Sequence, residues 1–65
     1  MNEETYNDAQ LLAMGILNRI NAVGEQNGDR NAMLYFVYDA LMMCDELKRK
    51  IETLKIKLND ERKQQ

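Results

Sequence analysis

The sequence predicts an all-α fold: an antiparallel helical hairpin with a long C-terminal helix, assembled into a homo-oligomeric helical bundle. The 65-residue chain has no Pro and only three Gly, and residues of high helix propensity dominate it. Apolar residues recur at steps of three and four over two segments, which are separated by turn-forming residues. We therefore expect a single domain of residues 1–65, with a helix at about 7–23, a turn at 24–29 and a helix at about 30–62.

The first predicted helix begins near Asn7, because Thr5 and Asn7 are both suitable N-caps. Its apolar stripe consists of Tyr6, Ala9, Ala13, Ile16, Ile20 and Val23. The stripe ends at Gly24, which we expect to close the helix in the left-handed conformation. Gly15 lies inside the helix and costs about 1 kcal/mol relative to Ala. We expect close packing of another backbone against it to offset this cost.

The turn is predicted from the dipeptide Asn27-Gly28, a common turn signal. Asp29 follows it and is suited to cap the second helix, because its carboxylate would lie at the positive end of the helix dipole. A connection this short is sufficient to reverse the chain between neighbouring antiparallel helices.

The second predicted helix is about twice as long as the first, so we expect its distal half to lack a partner within the chain. Its apolar seam has the steps of a heptad repeat: Met33, Val37, Ala40, Cys44, Leu47, Ile51, Leu54 and Leu58. The positions beside the seam are Leu34, Phe36, Leu41 and Met43 in the first half, and Lys48, Lys50, Lys55 and Lys57 in the second. The first half is therefore apolar over a width that needs more than one neighbouring helix.

Self-association is predicted because natural domains below roughly 70 to 80 residues usually rely on disulfides, metals or assembly. The chain has a single Cys and no His, which excludes an internal disulfide and the usual zinc sites. We expect no metal and no cofactor. The predicted oligomer interface comprises Leu12, Ile16, Ile20, Met33, Val37, Leu41, Leu47, Ile51, Leu54 and Leu58.

The charge pattern is an acidic hairpin followed by a basic tail, within a formal net charge of −2. Lys would face Lys along the tail of a simple parallel zipper, which disfavours that arrangement. We expect the tails to lie instead against acidic surface of another protomer, such as one bearing Asp39, Asp45 and Glu46. The overall balance argues against dedicated DNA binding.

Catalysis and membrane insertion are not predicted. Cys44 has no His to act as its base, and Asp45 and Glu46 point in different directions on a helix, so we expect no enzymatic activity. The N-terminus lacks the basic and apolar pattern of a secretory signal, and the longest apolar runs fall short of the ~20 residues that span a bilayer. With a lone thiol, these features predict a cytoplasmic protein, in the host cytoplasm if it is phage-encoded.

Candidate ligand-binding residues are Arg30, Tyr35, Tyr38 and Arg49. The two Tyr rings, three positions apart on the outer side of the second helix, could stack on a nucleobase while Arg supplies charge for phosphate. The alternative is that both rings belong to a second oligomer interface, with their hydroxyl groups at its wet rim.

The segment 32–45 resembles the second helix of the phage helical-hairpin sponge family, which opposes CBASS and Thoeris immunity. The matching residues are Leu34, Val37, Asp39, Ala40, Met42 and the upstream Arg30, within a resemblance that covers roughly residues 9–47. Proteins of this family form compact oligomers that sequester cyclic nucleotide immune signals. The family's Thr-Lys pair falls at Tyr35 and Phe36, and its Trp at Met43, so the ligand-contacting positions differ.

Two function hypotheses follow for a non-catalytic oligomeric binding protein. In the first, the protein is a sponge that sequesters a small anionic cyclic nucleotide between protomers, as the resemblance implies. In the second, it is a helical adaptor or antirepressor that binds a host protein through its apolar hairpin or its basic tail. A purely structural assembly role has no separate signature in the sequence.

Overall fold

The computed structural model describes residues 3–64, which form two helices packed against each other. α1 spans Glu3–Gly24 and α2 spans Arg30–Gln64. No strand occurs between residues 3 and 64, so the all-helical prediction is confirmed there. Residues 1, 2 and 65 of the predicted domain lie outside the described residues. The molecule is elongated, with principal-axis extents of 54, 15 and 12 Å.

α1 begins at Glu3, earlier than the sequence predicts, so Thr5 and Asn7 lie within the helix and do not cap it. Glu3 and Glu4 occupy the first turn, where negative charge interacts favourably with the helix dipole. Thr5 is only 8% exposed, and its Oγ1 accepts a hydrogen bond from Lys57 Nζ at 3.1 Å. Contact with α2 therefore stabilises the additional turn.

The earlier start of α1 also shortens the uncovered part of α2. Because Lys50 contacts Asp8, five residues after Glu3, α1 covers α2 as far as about Lys55, and only the last turns of α2, from Ile56 onward, extend beyond the described part of α1. At about 1.5 Å per residue this overhang is roughly 14 Å. The prediction of a long C-terminal helix is confirmed, but the expectation that its whole distal half lacks a partner is wrong.

Three contacts show that the helices run antiparallel and fix their register. Arg19 Nε lies 2.9 Å from Asp39 Oδ2, and Lys50 Nζ lies 3.5 Å from Asp8 Oδ2. The residue numbers of each ion pair add to 58, so neighbours across the hairpin follow that rule closely. The third contact, Thr5 to Lys57, departs from the rule by one helical turn.

The turn reverses the chain at Asn27 and Gly28, which have φ angles of 52° and 83°. Gly24 does not adopt a positive φ, so its predicted role as the left-handed closing residue is wrong. Side-chain capping makes that role unnecessary, because Gln26 Nε2 donates to the Ala22 carbonyl at 2.9 Å. The Glu25 amide donates to the same carbonyl at 3.1 Å.

The predicted cap of α2 is confirmed. Asp29 Oδ1 accepts a hydrogen bond from the Ala32 amide at 3.2 Å, the geometry of an N-cap three residues ahead. The Asp29 carbonyl accepts from the Met33 amide at 2.9 Å and begins the helical hydrogen-bond series.

Gly15 packs closely against Met43, as its place inside a helix suggested. A Cβ atom at this position would overlap Met43 Cε. The close neighbour is a flexible side chain and not the backbone that we expected. The absence of a side chain at Gly15 makes room for Met43 between the helices.

Little of the hairpin is buried. Among the described residues only Thr5, Ala9 and Ala40 fall below about a tenth exposed, and no large side chain is fully buried. The contact between the helices is made mostly by half-buried side chains. A core of this kind supplies little hydrophobic stabilisation to a lone protomer.

Candidate interaction face

Many of the exposed apolar side chains align along one side of the hairpin, which we call the open face, whereas others, among them Leu11, Met14 and Met42, lie elsewhere on the surface. The residues of the open face are Tyr6, Ala13, Leu17 and Ile20 of α1 with Leu34, Val37, Leu41, Cys44, Ile51 and Leu58 of α2. At about 100° per residue, the residues of each set lie to the same side of the contact between the helices. Because the helices are antiparallel, both sets face the same way.

Surface grooves show how the two helices share the open face. A groove of about 500 Å³ near the turn is lined by Val23 of α1 and by Met33, Leu34 and Val37 of α2. A second groove farther along α2 is lined by Cys44, Leu47, Lys48, Ile51, Glu52 and Lys55. The open face is thus apolar near the turn and gains a rim of lysines toward the tail.

The opposite side of the hairpin, which we call the polar face, has a different character. It carries the ion pairs Arg19–Asp39 and Lys50–Asp8, whose side chains are all about 40% exposed. A shallow groove on this side is lined by Asp8, Leu11, Leu12, Met43, Glu46 and Lys50. The charged side chains of the polar face are therefore partly paired within the protomer.

The large side chains of the open face are extensively solvated. Leu17 is 59% exposed, Leu41 is 56% exposed, and Ile20 and Ile51 are each more than half exposed. Single exposed apolar residues are normal on a protein surface, but a contiguous patch larger than a few hundred Å² marks an interaction site. The alignment of these residues on one side makes the open face a candidate for a site of this kind.

The structure divides the predicted oligomer-interface residues into two groups. Five of them are half-buried, in the contact between α1 and α2: Leu12, Ile16, Met33, Leu47 and Leu54. The other five lie on the open face: Ile20, Val37, Leu41, Ile51 and Leu58. Only the second group is available to another chain without opening the hairpin.

The heptad seam of α2 divides in the same way. Its positions Met33, Ala40, Leu47 and Leu54 turn toward α1, whereas Val37, Cys44, Ile51 and Leu58 are exposed. α1 packs against only one side of this seam, the side that also includes Phe36 and Met43. The other side of the seam stays exposed. The apolar stripe predicted for α1 divides too, because Tyr6, Ala13 and Ile20 are exposed.

The four predicted ligand-binding residues are spread along α2. Arg30 lines the groove at the turn, whereas Arg49 lines a groove with Glu46, Lys50 and Thr53. The two Arg residues are nineteen positions apart on the helix, roughly 28 Å along the axis. They cannot contact one small nucleotide within a single protomer, so a shared site requires residues of a second protomer.

The two predicted Tyr residues are exposed on the outer side of α2. Tyr35 is 70% exposed and its ring packs edge-on against Phe36, with ring centroids 5.6 Å apart. Tyr38 is 63% exposed. Helical geometry directs the Tyr35 ring away from the open face, whereas Tyr38 lies at its edge, beside Leu34 and Leu41. Their roles as ligand contacts stay predictions.

Sequence reasoning missed the polar contacts across the hairpin. Asp39 was expected to meet a basic tail of another protomer, but it accepts a hydrogen bond from Arg19 of its own chain. Lys50 likewise bonds to Asp8. The sequence shows that these residues carry opposite charges and could form ion pairs. Only the register between the two helices determines which of them come into contact.

Comparison with protein-family models, with curated proteins and with solved structures reveals no significant match to this chain. Neither described helix is long and apolar enough to cross a membrane. Within residues 3–64, no three His, Cys, Asp or Glu side chains are grouped so that they could hold a metal ion. The open face is the main feature of the described surface on which a function can be argued.

Proposed function

We propose that this chain is a non-catalytic helical protein that functions by associating with other polypeptides, beginning with copies of itself. The observation that carries this proposal is the open face, a row of large apolar side chains along one side of a hairpin without a substantial core. Association would remove these side chains from water, at about 25 cal/mol per Å² of apolar surface.

The thin core of the protomer supports self-association as the first step. A domain of this size buries only about 60% of its unfolded surface even when it is globular. Here the described residues include no fully buried large side chain. Contacts between protomers would supply the core that the hairpin lacks, which is how many small helical proteins become stable.

Sequestration of a small anionic nucleotide is the second candidate function. It is favoured by the groove at the turn, where Arg30 lies beside an apolar wall formed by Met33, Leu34 and Val37. Such a wall suits a base or sugar, and a guanidinium group suits phosphate. Tyr35, Tyr38 and Arg49 do not line this groove within the protomer.

Sedimentation equilibrium of two neighbouring variants tests the first proposal. We expect the wild type to sediment as an oligomer at micromolar concentration, and Leu41→Asp to abolish association because it places a charge in the open face. Met42→Asp is the matched control, since Met42 is 70% exposed and lies on the other side of α2. A folded monomeric wild type, or equal loss of association in both variants, would contradict the proposal.

Calorimetric titration with a panel of cyclic di- and trinucleotides tests the second candidate. We expect binding heat for at least one nucleotide, and its loss in Arg30→Ala without a change in oligomeric state. Absence of heat across the whole panel would exclude nucleotide sequestration and would leave association with a protein, as an adaptor or antirepressor, as the function of the oligomer.

A further inference from the structure

We propose that two copies of this chain pack open face to open face with their hairpins parallel, so that α1 of each subunit lies along α2 of the other. The product is a four-helix bundle in which every neighbouring pair of helices is antiparallel. This inference rests on the proposed self-association and adds its geometry: which helix meets which, and in what register.

The symmetry of this dimer fixes the register between the helices of its two subunits. A two-fold axis parallel to the helices keeps every residue at its own height along the bundle. Each residue of α1 therefore lies opposite the same residue of α2 in the partner subunit as it does within its own hairpin. The rule from the ion pairs Arg19–Asp39 and Lys50–Asp8, that paired residue numbers add to 58, thus applies across the interface as well.

Under this rule the apolar side chains of the open face meet one another. Leu17 lies opposite Leu41 of the partner subunit, and Ile20 lies within one position of Val37 of the partner subunit. The same holds in the tail half, where Tyr6 lies within one position of Ile51 of the partner subunit. All of these residues are exposed in the single hairpin.

Polar residues at the rim also match. Lys55 lies opposite Glu3 of the partner subunit, and Lys48 lies opposite Gln10 of the partner subunit. The two lysines follow Leu34 and Leu41 at intervals of seven residues and so lie on the same side of α2. Glu3 and Gln10 lie at the outer edge of α1, so each lysine can extend its charged end to the solvated border of the interface. The basic tail thereby lies against the acidic start of α1.

The alternative face-to-face dimer, with antiparallel hairpins, matches less well. It sets α1 against α1 and α2 against α2 of the partner subunit. When it is centred on the apolar stretch of α2 between Leu34 and Leu58, some apolar side chains still meet, since Leu41 lies opposite Ile51 of the partner subunit. Lys55, however, then lies opposite Val37 of the partner subunit, and Ile20 lies opposite Glu4 of the partner subunit. The parallel arrangement is favoured on charge matching, because it gives Lys55 an acidic neighbour instead of an apolar one.

The size of the open face is suitable for a stable dimer. From Leu34 to Leu58 the face is about 36 Å long at ~1.5 Å per residue, and two helices side by side are about 20 Å wide. The contact is therefore roughly 700 Å² per subunit, close to the ~800 Å² of a standard interface. The two α2 helices lie diagonally opposite each other in this bundle, so their tail lysines are kept apart. This arrangement agrees with the expectation that the tails do not form a parallel zipper.

Disulfide cross-linking through the native Cys44 tests this geometry. Ala13 and Cys44 of the partner subunit lie within one position of each other, with side chains that point across the interface. We expect Ala13→Cys to form a covalent dimer on mild oxidation, seen as a doubled mass on a non-reducing gel. A disulfide needs Cα atoms within about 7 Å, so the Cys44 residues on the diagonal should leave the wild type uncross-linked.

The control is Met14→Cys, whose side chain points away from the open face and should give no covalent dimer. If the wild type cross-links efficiently through Cys44 alone, or if Ala13→Cys dimers stay uncross-linked, the parallel geometry is overturned while self-association stands. If sedimentation shows only monomers, the proposed function itself fails.

A charge exchange provides a second test that does not depend on oxidation. Glu3→Lys places like charges opposite each other and should weaken dimerisation about two- to thirtyfold at low salt, the range expected for the two rim ion pairs of a symmetric dimer. Adding Lys55→Glu should restore the wild-type dissociation constant. Failure of the second substitution to rescue the first would count against the predicted pairing.

Discussion

At the scale of single residues, Gly15 and Met43 show how a small side chain sets the distance between the two helices. Gly is unfavourable inside a helix by about 1 kcal/mol relative to Ala. In this hairpin the cost is offset because Met43 occupies the space that a Cβ atom would need. Met is suited to this position because its flexible thioether adapts to an irregular gap.

A double-mutant cycle tests this coupling. We expect Gly15→Ala alone to change the free energy of unfolding little, since the gain of about 1 kcal/mol in helix propensity is opposed by displacement of the Met43 methyl group. In the Met43→Ala background the same substitution should stabilise the protein by about 1 kcal/mol. Urea denaturation at one fixed protein concentration measures both values. Equal effects of Gly15→Ala in the two backgrounds would show that the side chains are not coupled.

At the scale of secondary-structure elements, the connection between the helices is defined by backbone conformation and capping. Asn27 and Gly28 adopt left-handed conformations, and Asp29 then caps α2 through the Ala32 amide. Gly24, at the end of α1, has space for a side chain and no positive φ. The three features together determine where α1 ends and α2 begins.

The two glycines near the turn should therefore respond oppositely to substitution by Ala. Gly28→Ala should destabilise the protein by about 1 to 2 kcal/mol, because an L residue is strained at its φ of 83°. Gly24→Ala should be neutral or stabilising by up to about 1 kcal/mol, because it replaces a flexible residue in a helical conformation. Thermal unfolding followed by circular dichroism distinguishes them. A larger loss of stability for Gly24→Ala than for Gly28→Ala would instead support the prediction that Gly24 closes α1 in the left-handed conformation.

At the scale of the whole molecule, the elongated hairpin separates a polar face, where ion pairs cross between the helices, from the apolar open face. Surface ion pairs contribute only about 0 to 1 kcal/mol each. They define the register of the hairpin more than its stability. Under the proposed self-association, the larger hydrophobic contribution would come from burial of the open face.

The melting temperature should consequently depend on protein concentration. If unfolding is coupled to dissociation of a dimer, each tenfold rise in concentration adds about 1.4 kcal/mol to the apparent stability. We expect Tm to rise by several degrees over a hundredfold range, as measured by scanning calorimetry. Leu41→Asp should unfold at a low temperature that does not vary with concentration. A wild-type Tm that is constant over the same range would argue against coupled folding and association.

The candidate site was predictable in part. Periodicity predicted that Val37, Leu41, Ile51 and Leu58 pack against another chain, and the structure leaves these four residues exposed. Periodicity did not separate them from Met33, Leu47 and Leu54, which face α1. A heptad pattern shows that apolar residues form a seam along a helix. It does not show whether a given residue of the seam packs against a helix of the same chain or of another chain.

The sequence by itself determined that the chain is helical, that it turns at Asn27 and Gly28, and that Asp29 caps the second helix. These outcomes depend on local backbone preferences and on hydrogen bonds between residues close in sequence. The tertiary structure alone decided that α1 extends back to Glu3, that Asp39 pairs with Arg19, and that one side of the hairpin remains apolar and open. Those features depend on the register between two helices, which is set by the sum of many weak contacts along their whole length.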